Sequence, residues 1–108
     1  MKKANMPVMM AISSRMGTHA MLNAYSAKWW QYSASKASLN FAAAAFALNE
    51  PSIKSISIHP GWVKTRMGGG SADIEPPESA KAIKKLYDTI DSLKSGKMYN
   101  YDGRPMVW

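Results

Sequence analysis

The strongest constraint on the fold is the order of three segments: an apolar run at 8–13, a long helical stretch at 29–48 and a second run at 53–59. A short apolar run bounded by turn formers suits a strand covered on both faces. Two such strands separated by a helix imply a parallel pair joined by a right-handed crossover. In the second run Ile56 and Ile58 alternate with Ser55 and Ser57, so one of its faces is less apolar. Asn49-Glu50-Pro51 ends the helix, because proline disfavours helical geometry in the residue before it. The second half of the helix, 39–48, is rich in alanine and apolar on nearly every side. A helix of that kind is expected to be covered on every side. One face can lie on the sheet. For the other, two readings stand: a homo-oligomer interface through the helix at 29–48, or deep burial within one chain.

The rest of the chain is read as follows. Residues 17–28 have no clear period and read as loop. Residues 67–77 are also loop, and Gly68-Gly69-Gly70 makes them suited to a lid over a crevice or to a plain linker. This glycine run is not a phosphate loop, since it lacks the Gly-x-Gly-x-x-Gly spacing and the strand-to-helix setting. Pro76 and Pro77 suit a helix start. The spacing predicts a helix over 78–93 with an apolar stripe of Ala80, Ile83, Tyr87 and Ile90, stopped by Ser95-Gly96. A third short strand follows at 97–101, Asp102-Gly103 turns the chain, and 106–108 pair or pack at the end. The expectation is one α/β domain spanning 1–108, with about three parallel strands and two main helices.

Composition narrows the class. The length, 108 residues, leaves room for one domain. There is no cysteine, so neither a disulfide nor a thiolate metal site can hold the fold. The formal net charge is +7, yet the basic residues are scattered and no arginine-rich run interleaves with aromatics. A solvated basic surface is therefore expected, and a nucleic-acid partner is not. No apolar stretch is long enough to span a membrane. Met1-Lys2-Lys3 followed by an apolar run faintly resembles a secretory signal. Pro7 opens that run and Ser13-Ser14-Arg15 closes it, so a buried strand and a cytoplasmic protein are the expectation.

Chemistry is concentrated at Tyr32-Ser33-Ala34-Ser35-Lys36. A tyrosine and a lysine four positions apart share one helix face. A nearby ammonium stabilises tyrosinate relative to phenol and brings a general acid or base closer to working pH. The spacing alone is weak evidence, and a surface tyrosine leaning on a lysine stem is the plain alternative. Ser13-Ser14 leaves the first strand at its carboxyl end, where open parallel sheets place their ligand crevice. A hydroxyl there, beside the phenol, suits proton transfer to or from a carbonyl/alcohol pair. His59 leaves the second strand at the equivalent place. It has no carboxylate near it in sequence and reads as structural.

With these pieces placed, the chain resembles the short-chain dehydrogenase/reductase family. Ile12-Ser13-Ser14-Arg15-Met16-Gly17 looks like the family's catalytic-serine segment. Tyr32-Ser33-Ala34-Ser35-Lys36-Ala37-Ser38-Leu39-Asn40 looks like its Tyr-x-x-x-Lys helix. His59-Pro60-Gly61-Trp62-Val63-Lys64-Thr65 looks like its Pro-Gly loop, and residues 96–108 are similar to a branch of small carbonyl reductases that includes C-factor-like proteins. The resemblance implies a partial Rossmann-like three-layer αβα fold. It implies that Ser14 polarises a substrate carbonyl and Tyr32 passes the proton, while Lys36 lowers the tyrosine pKa and holds the nicotinamide ribose. Pro60, Gly61, Val63 and Thr65 would hold the carboxamide end of NAD(P)(H). The separation of Ser14 from Tyr32 is longer than the family's commonest spacing and fits a branch with an inserted loop.

The family's Gly-rich pyrophosphate turn, its NAD/NADP-selecting residue and the asparagine of a preceding helix have no counterpart here. The resemblance therefore covers the C-terminal half, and little cofactor affinity is expected of this chain alone. Two functional readings follow. One is a segment of an oxidoreductase acting on a small-molecule carbonyl or alcohol, with weak or no activity by itself. The other is a non-catalytic interaction or signalling protein that pairs with an intact homologue.

Overall fold

In the computed structural model, which describes residues 7–62 and 74–108, the chain forms a four-stranded sheet ordered β1-β2-β3-β4. Strand β1 (Val8–Ile12) pairs in parallel with β2 (Lys54–His59), Val8 facing Lys54 and Ile12 facing Ile58. Strand β2 pairs in parallel with β3 (Met98–Asn100). A two-residue β4 (Pro105–Met106) returns antiparallel to β3, so the chain end pairs through Met106. Three helices accompany the sheet: α1 (Ala24–Lys28), α2 (Trp30–Asn49) and α3 (Pro76–Asp88).

The alternation in β2 divides the molecule into layers. Side chains alternate between the two faces of a strand. Ile56 and Ile58 are fully buried and pack with Leu86, Ile90, Leu93 and Tyr99, flanked by Val8, Met10 and Ile83. That is the α3 side and the apolar core. Ser55 and Ser57 lie on the other face, which α2 covers. The Ser55 hydroxyl donates to the Ala43 carbonyl at 2.8 Å, and Ala43 is buried. Small side chains on both surfaces let helix and sheet approach closely. The same face carries the buried Ser57 hydroxyl, which makes no hydrogen bond among the described residues.

Four expectations are corrected. Residues 17–28 are not unstructured loop. Single 3-10 turns at Arg15–Gly17 and His19–Met21 lead into α1, whose start is fixed by a capping box between Asn23 and Ser26. The helix expected over 78–93 begins at Pro76 and ends at Asp88, with one further 3-10 turn at Ile90–Ser92. Its buried stripe is Ser79, Leu86 and Ile90 with Ile83 half-buried, whereas Ala80 and Tyr87 are exposed. The phase is set by Ser79, whose hydroxyl donates to the Pro60 carbonyl at 2.6 Å. Finally, of the two readings of α2, deep burial within one chain is excluded, because the helix is covered on one side only in this chain. Phe41 is 78% exposed and Leu48 84%. The segment 67–73, read as lid or linker, lies outside the described residues.

Candidate active site

The sequence-derived candidates gather at the carboxyl ends of β1 and β2. The ladder runs one residue past β1, because the Ser13 amide donates to the Ile58 carbonyl at 2.8 Å. Ser14 follows in extended geometry and caps the first 3-10 turn. Its Oγ accepts the Met16 amide proton at 3.1 Å, and the residue is buried. A serine hydroxyl has one proton and two lone pairs. The cap uses a lone pair, so the Ser14 proton stays available for an acceptor in the crevice.

The turn carrying Ser14 is pressed against α2 at the level of Lys36. A Cβ built on Gly17 would lie 2.6 Å from the Ala37 amide nitrogen and the Lys36 carbonyl carbon. Only a residue with no side chain lets the two backbones meet this closely. Two longer hydrogen bonds span the same seam: Ser13 Oγ donates to the Lys36 carbonyl at 3.4 Å, and Asn40 Nδ2 donates to the Gly17 carbonyl at 3.4 Å. Asn40 is buried and its Oδ1 has no partner among the described residues.

On that helix Tyr32 and Lys36 share a face and are both half-buried. The Lys36 ammonium lies 5.7 Å from the centre of the Tyr32 ring, within range of a cation–π attraction. The same Nζ donates to the Ile12 carbonyl, the last of β1, at 3.4 Å. The lysine thus bridges the end of β1 and the tyrosine. Among the described residues its remaining donors make no other hydrogen bond. No hydrogen bond joins Ser14 to Tyr32; their elements meet through Gly17, Ser13 and Lys36.

The second strand contributes His59, which is buried. Its Nδ1 accepts the Arg15 amide proton at 3.1 Å. Burial, and then the Arg15 guanidinium, push the imidazole pKa down to about 4, so the ring is neutral near pH 7. Pro60 is anchored by Ser79, as above. Gly61 sits at φ +88° against the Tyr101 ring and Ile74, a conformation and a space that suit only glycine. Beyond Trp62 the chain leaves the described residues and returns at Ile74, whose amide donates to the Trp62 carbonyl at 3.1 Å. Val63 and Thr65, read as cofactor-binding, lie outside the described residues. Sequence reasoning missed Gly17, Asn40 and the bond made by His59. Gly17 carried a signal, a lone glycine just past a strand. The other two depend on long-range contacts.

The donor set fits one end of a nicotinamide dinucleotide. Lys36 offers spare ammonium protons beside Tyr32, and Pro60-Gly61 makes a tight turn at the neighbouring strand end. Among the described residues no Gly-rich strand-to-helix turn is present for the pyrophosphate.

The chain is similar to several known proteins. No protein-family model matches the chain. It is 32% identical over 99 residues to "C-signal" of Myxococcus xanthus, covering 90% of this chain and 58% of that protein. It is 35% identical to "Short chain dehydrogenase gsfK" of Penicillium aethiopicum, covering 36% of that protein. Among solved structures, the carbonyl reductase Sniffer of D. melanogaster superposes with a TM-score of 0.79 and 33% identity, over 99% of this chain and 45% of that one. An NADPH-bound carbonyl reductase from chicken fatty liver gives 0.78 and 28%, over 98% and 46%. The chain spans about half the length of the relatives it matches. By sequence and by fold it matches a segment, about half the length, of members of the short-chain dehydrogenase/reductase family.

Proposed function

We propose that this chain carries the proton-transfer part of a nicotinamide-dependent oxidoreductase that interconverts a carbonyl and an alcohol on a small molecule. The observation that carries this reading is the seam between the Ser14 turn and α2. It puts a serine with a free proton, a tyrosine and a lysine ammonium at adjoining strand ends. In this reading Ser14 donates a hydrogen bond to the substrate carbonyl oxygen. Tyr32 gives the proton to that oxygen, or takes it from the alcohol. Lys36 stabilises the tyrosinate left behind and holds the ribose of the cofactor. Pro60, Gly61, Val63 and Thr65 hold its carboxamide end. A bound NADPH or NADH would supply the hydride.

Residues 1–108 act in this reading as one domain, in the cytoplasm. The uncovered apolar side of α2, with Phe41, Trp30 and Leu48 exposed, supports self-association through that helix. The second reading, an interaction protein that pairs with an intact homologue, is supported by the same bare surface.

The test is a thermal melt of the purified chain with and without saturating NADPH and NADH, together with dinucleotide oxidation against an aromatic aldehyde. A ligand that binds only the folded state raises the melting point by mass action. An upward shift with measurable turnover supports the oxidoreductase reading. A cooperative melt with neither shift nor turnover overturns it for this chain and leaves the interaction reading.

A further inference from the structure

The bond between the Arg15 amide and His59 joins groups 44 residues apart and lies outside the triad assigned above. Arg15 directly follows Ser14, and His59 directly precedes Pro60-Gly61. His59 therefore sits between the two segments that the proposed reaction uses. The turn it touches is a single 3-10 turn of three residues, too short to hold its own geometry. Its other supports include the 3.1 Å cap from Ser14, the 2.8 Å bond from the Thr18 hydroxyl to the Arg15 carbonyl, the backbone bonds from Gly17 to Ser14 and from Thr18 to Arg15, the Asn40–Gly17 bond and the close approach to α2. None of these occupies the Arg15 N–H.

We propose that His59 is a positioning residue: by accepting the Arg15 N–H on Nδ1 it fixes the turn that carries Ser14 and ties it to the Pro60-Gly61 loop. The inference rests on the oxidoreductase reading for its effect on turnover, but not for its geometry. The bond requires the neutral tautomer with the proton on Nε2. A buried ring with its lone pair on a backbone amide cannot also serve as a general base at that nitrogen. His59 thus acts on the reaction through Ser14. An amide left without its acceptor in this part-buried place would pull the turn toward another partner and carry Ser14 with it.

The experiment uses the full chain, isotope-labelled, with the variants His59→Asn, His59→Gln and His59→Ala. Asparagine places an oxygen near the position of Nδ1, whereas glutamine reaches toward that of Nε2. The wild type should show a through-hydrogen-bond coupling between the Arg15 amide nitrogen and His59 Nδ1. Hydrogen exchange at the Arg15 amide should be unchanged in His59→Asn and at least about tenfold faster in His59→Ala and His59→Gln. With NADPH and an aromatic aldehyde, kcat should fall about tenfold or more in His59→Ala and recover in His59→Asn, with the KM for NADPH unchanged. Absence of the coupling overturns the inference, as does a folded His59→Asn that fails to protect Arg15. If His59→Ala does not fold, the wild-type coupling and His59→Asn decide. A wild type without turnover overturns the oxidoreductase reading for this chain by itself, while the coupling and exchange still decide the role of His59.

Discussion

Replacing Gly17 by alanine tests whether the seam between the Ser14 turn and α2 is as close as the structure shows. The added Cβ would lie 2.6 Å from two backbone atoms and 2.8 Å from Lys36 Cβ. None of these is the far end of a flexible side chain, so the seam itself must open by about 0.8 Å to restore an ordinary contact near 3.4 Å. The bonds Ser13–Lys36 and Asn40–Gly17 already stand at 3.4 Å and would stretch to about 4.2 Å, beyond hydrogen-bonding range. Overpacking costs about 1–3 kcal/mol and each lost bond about 0.5–1.5 kcal/mol. Against this, alanine removes unfolded-state freedom worth about 0.4–1 kcal/mol, and Gly17 has no positive φ to oppose it. Destabilisation wins by about 2–4 kcal/mol. Urea unfolding followed by circular dichroism should show this as a lower midpoint at unchanged slope. A variant as stable as the wild type, or more stable, would mean that the approach is looser than described and that this seam does not position Ser14.

Three further outcomes are expected. The unfolded chain binds a proton at His59 near pH 6.5 and the folded chain only near pH 4, so stability is level above pH 6.5 and falls as pH drops toward 4. At ~1.36 kcal/mol per unit the loss is about 3 kcal/mol, and urea melts of His59→Asn across the same range should lack this part of the slope. On β2, Ser55→Ala should cost about 1 kcal/mol through the lost bond to Ala43. Ser57→Ala, which removes a buried unpaired hydroxyl, should be neutral or gain up to about 1 kcal/mol in the same assay. Tyr32→Phe should lower turnover at least about 100-fold while moving stability by less than about 0.5 kcal/mol. Unchanged turnover would remove the tyrosine from the proton-transfer role.

The parallel core was legible because its signals are local. Apolar runs at 8–13 and 53–59 and the Pro51 stop require nothing from the rest of the chain, and β1, α2 and β2 stand within a residue or two of those bounds. The α3 stripe was misphased because Leu86 and Tyr87 are adjacent, and either could have led an apolar face. The bond from Ser79 to Pro60, made across 19 positions, sets which one turns inward. The capping box at Asn23 and Ser26 was visible in the sequence but was hidden by the lack of any apolar period around it. At the candidate site the pairing of Tyr32 with Lys36 follows from helical spacing. The neighbours of Ser14 do not, because Gly17 meets Lys36 and Arg15 meets His59 only after the crossover is folded.

The two sides of α2 divide its work. Toward the sheet it presents Ala43, the backbone at Lys36 and Ala37, and the amide of Asn40, all close to small partners. Toward solvent it presents Phe41, Leu48 and Trp30, large and uncovered. Packing that runs through backbone atoms and single methyl groups cannot adjust by a rotamer change, so a shift of the helix passes directly to Lys36, Tyr32 and the Ser14 turn. Substitutions at the far end of the outer face, such as Leu48→Glu, should alter association of the chain with copies or homologues and leave the spacing of the serine turn from the lysine unchanged. Substitutions on the inner face should do the reverse. The position of the catalytic candidates is thus governed by the small residues of the chain.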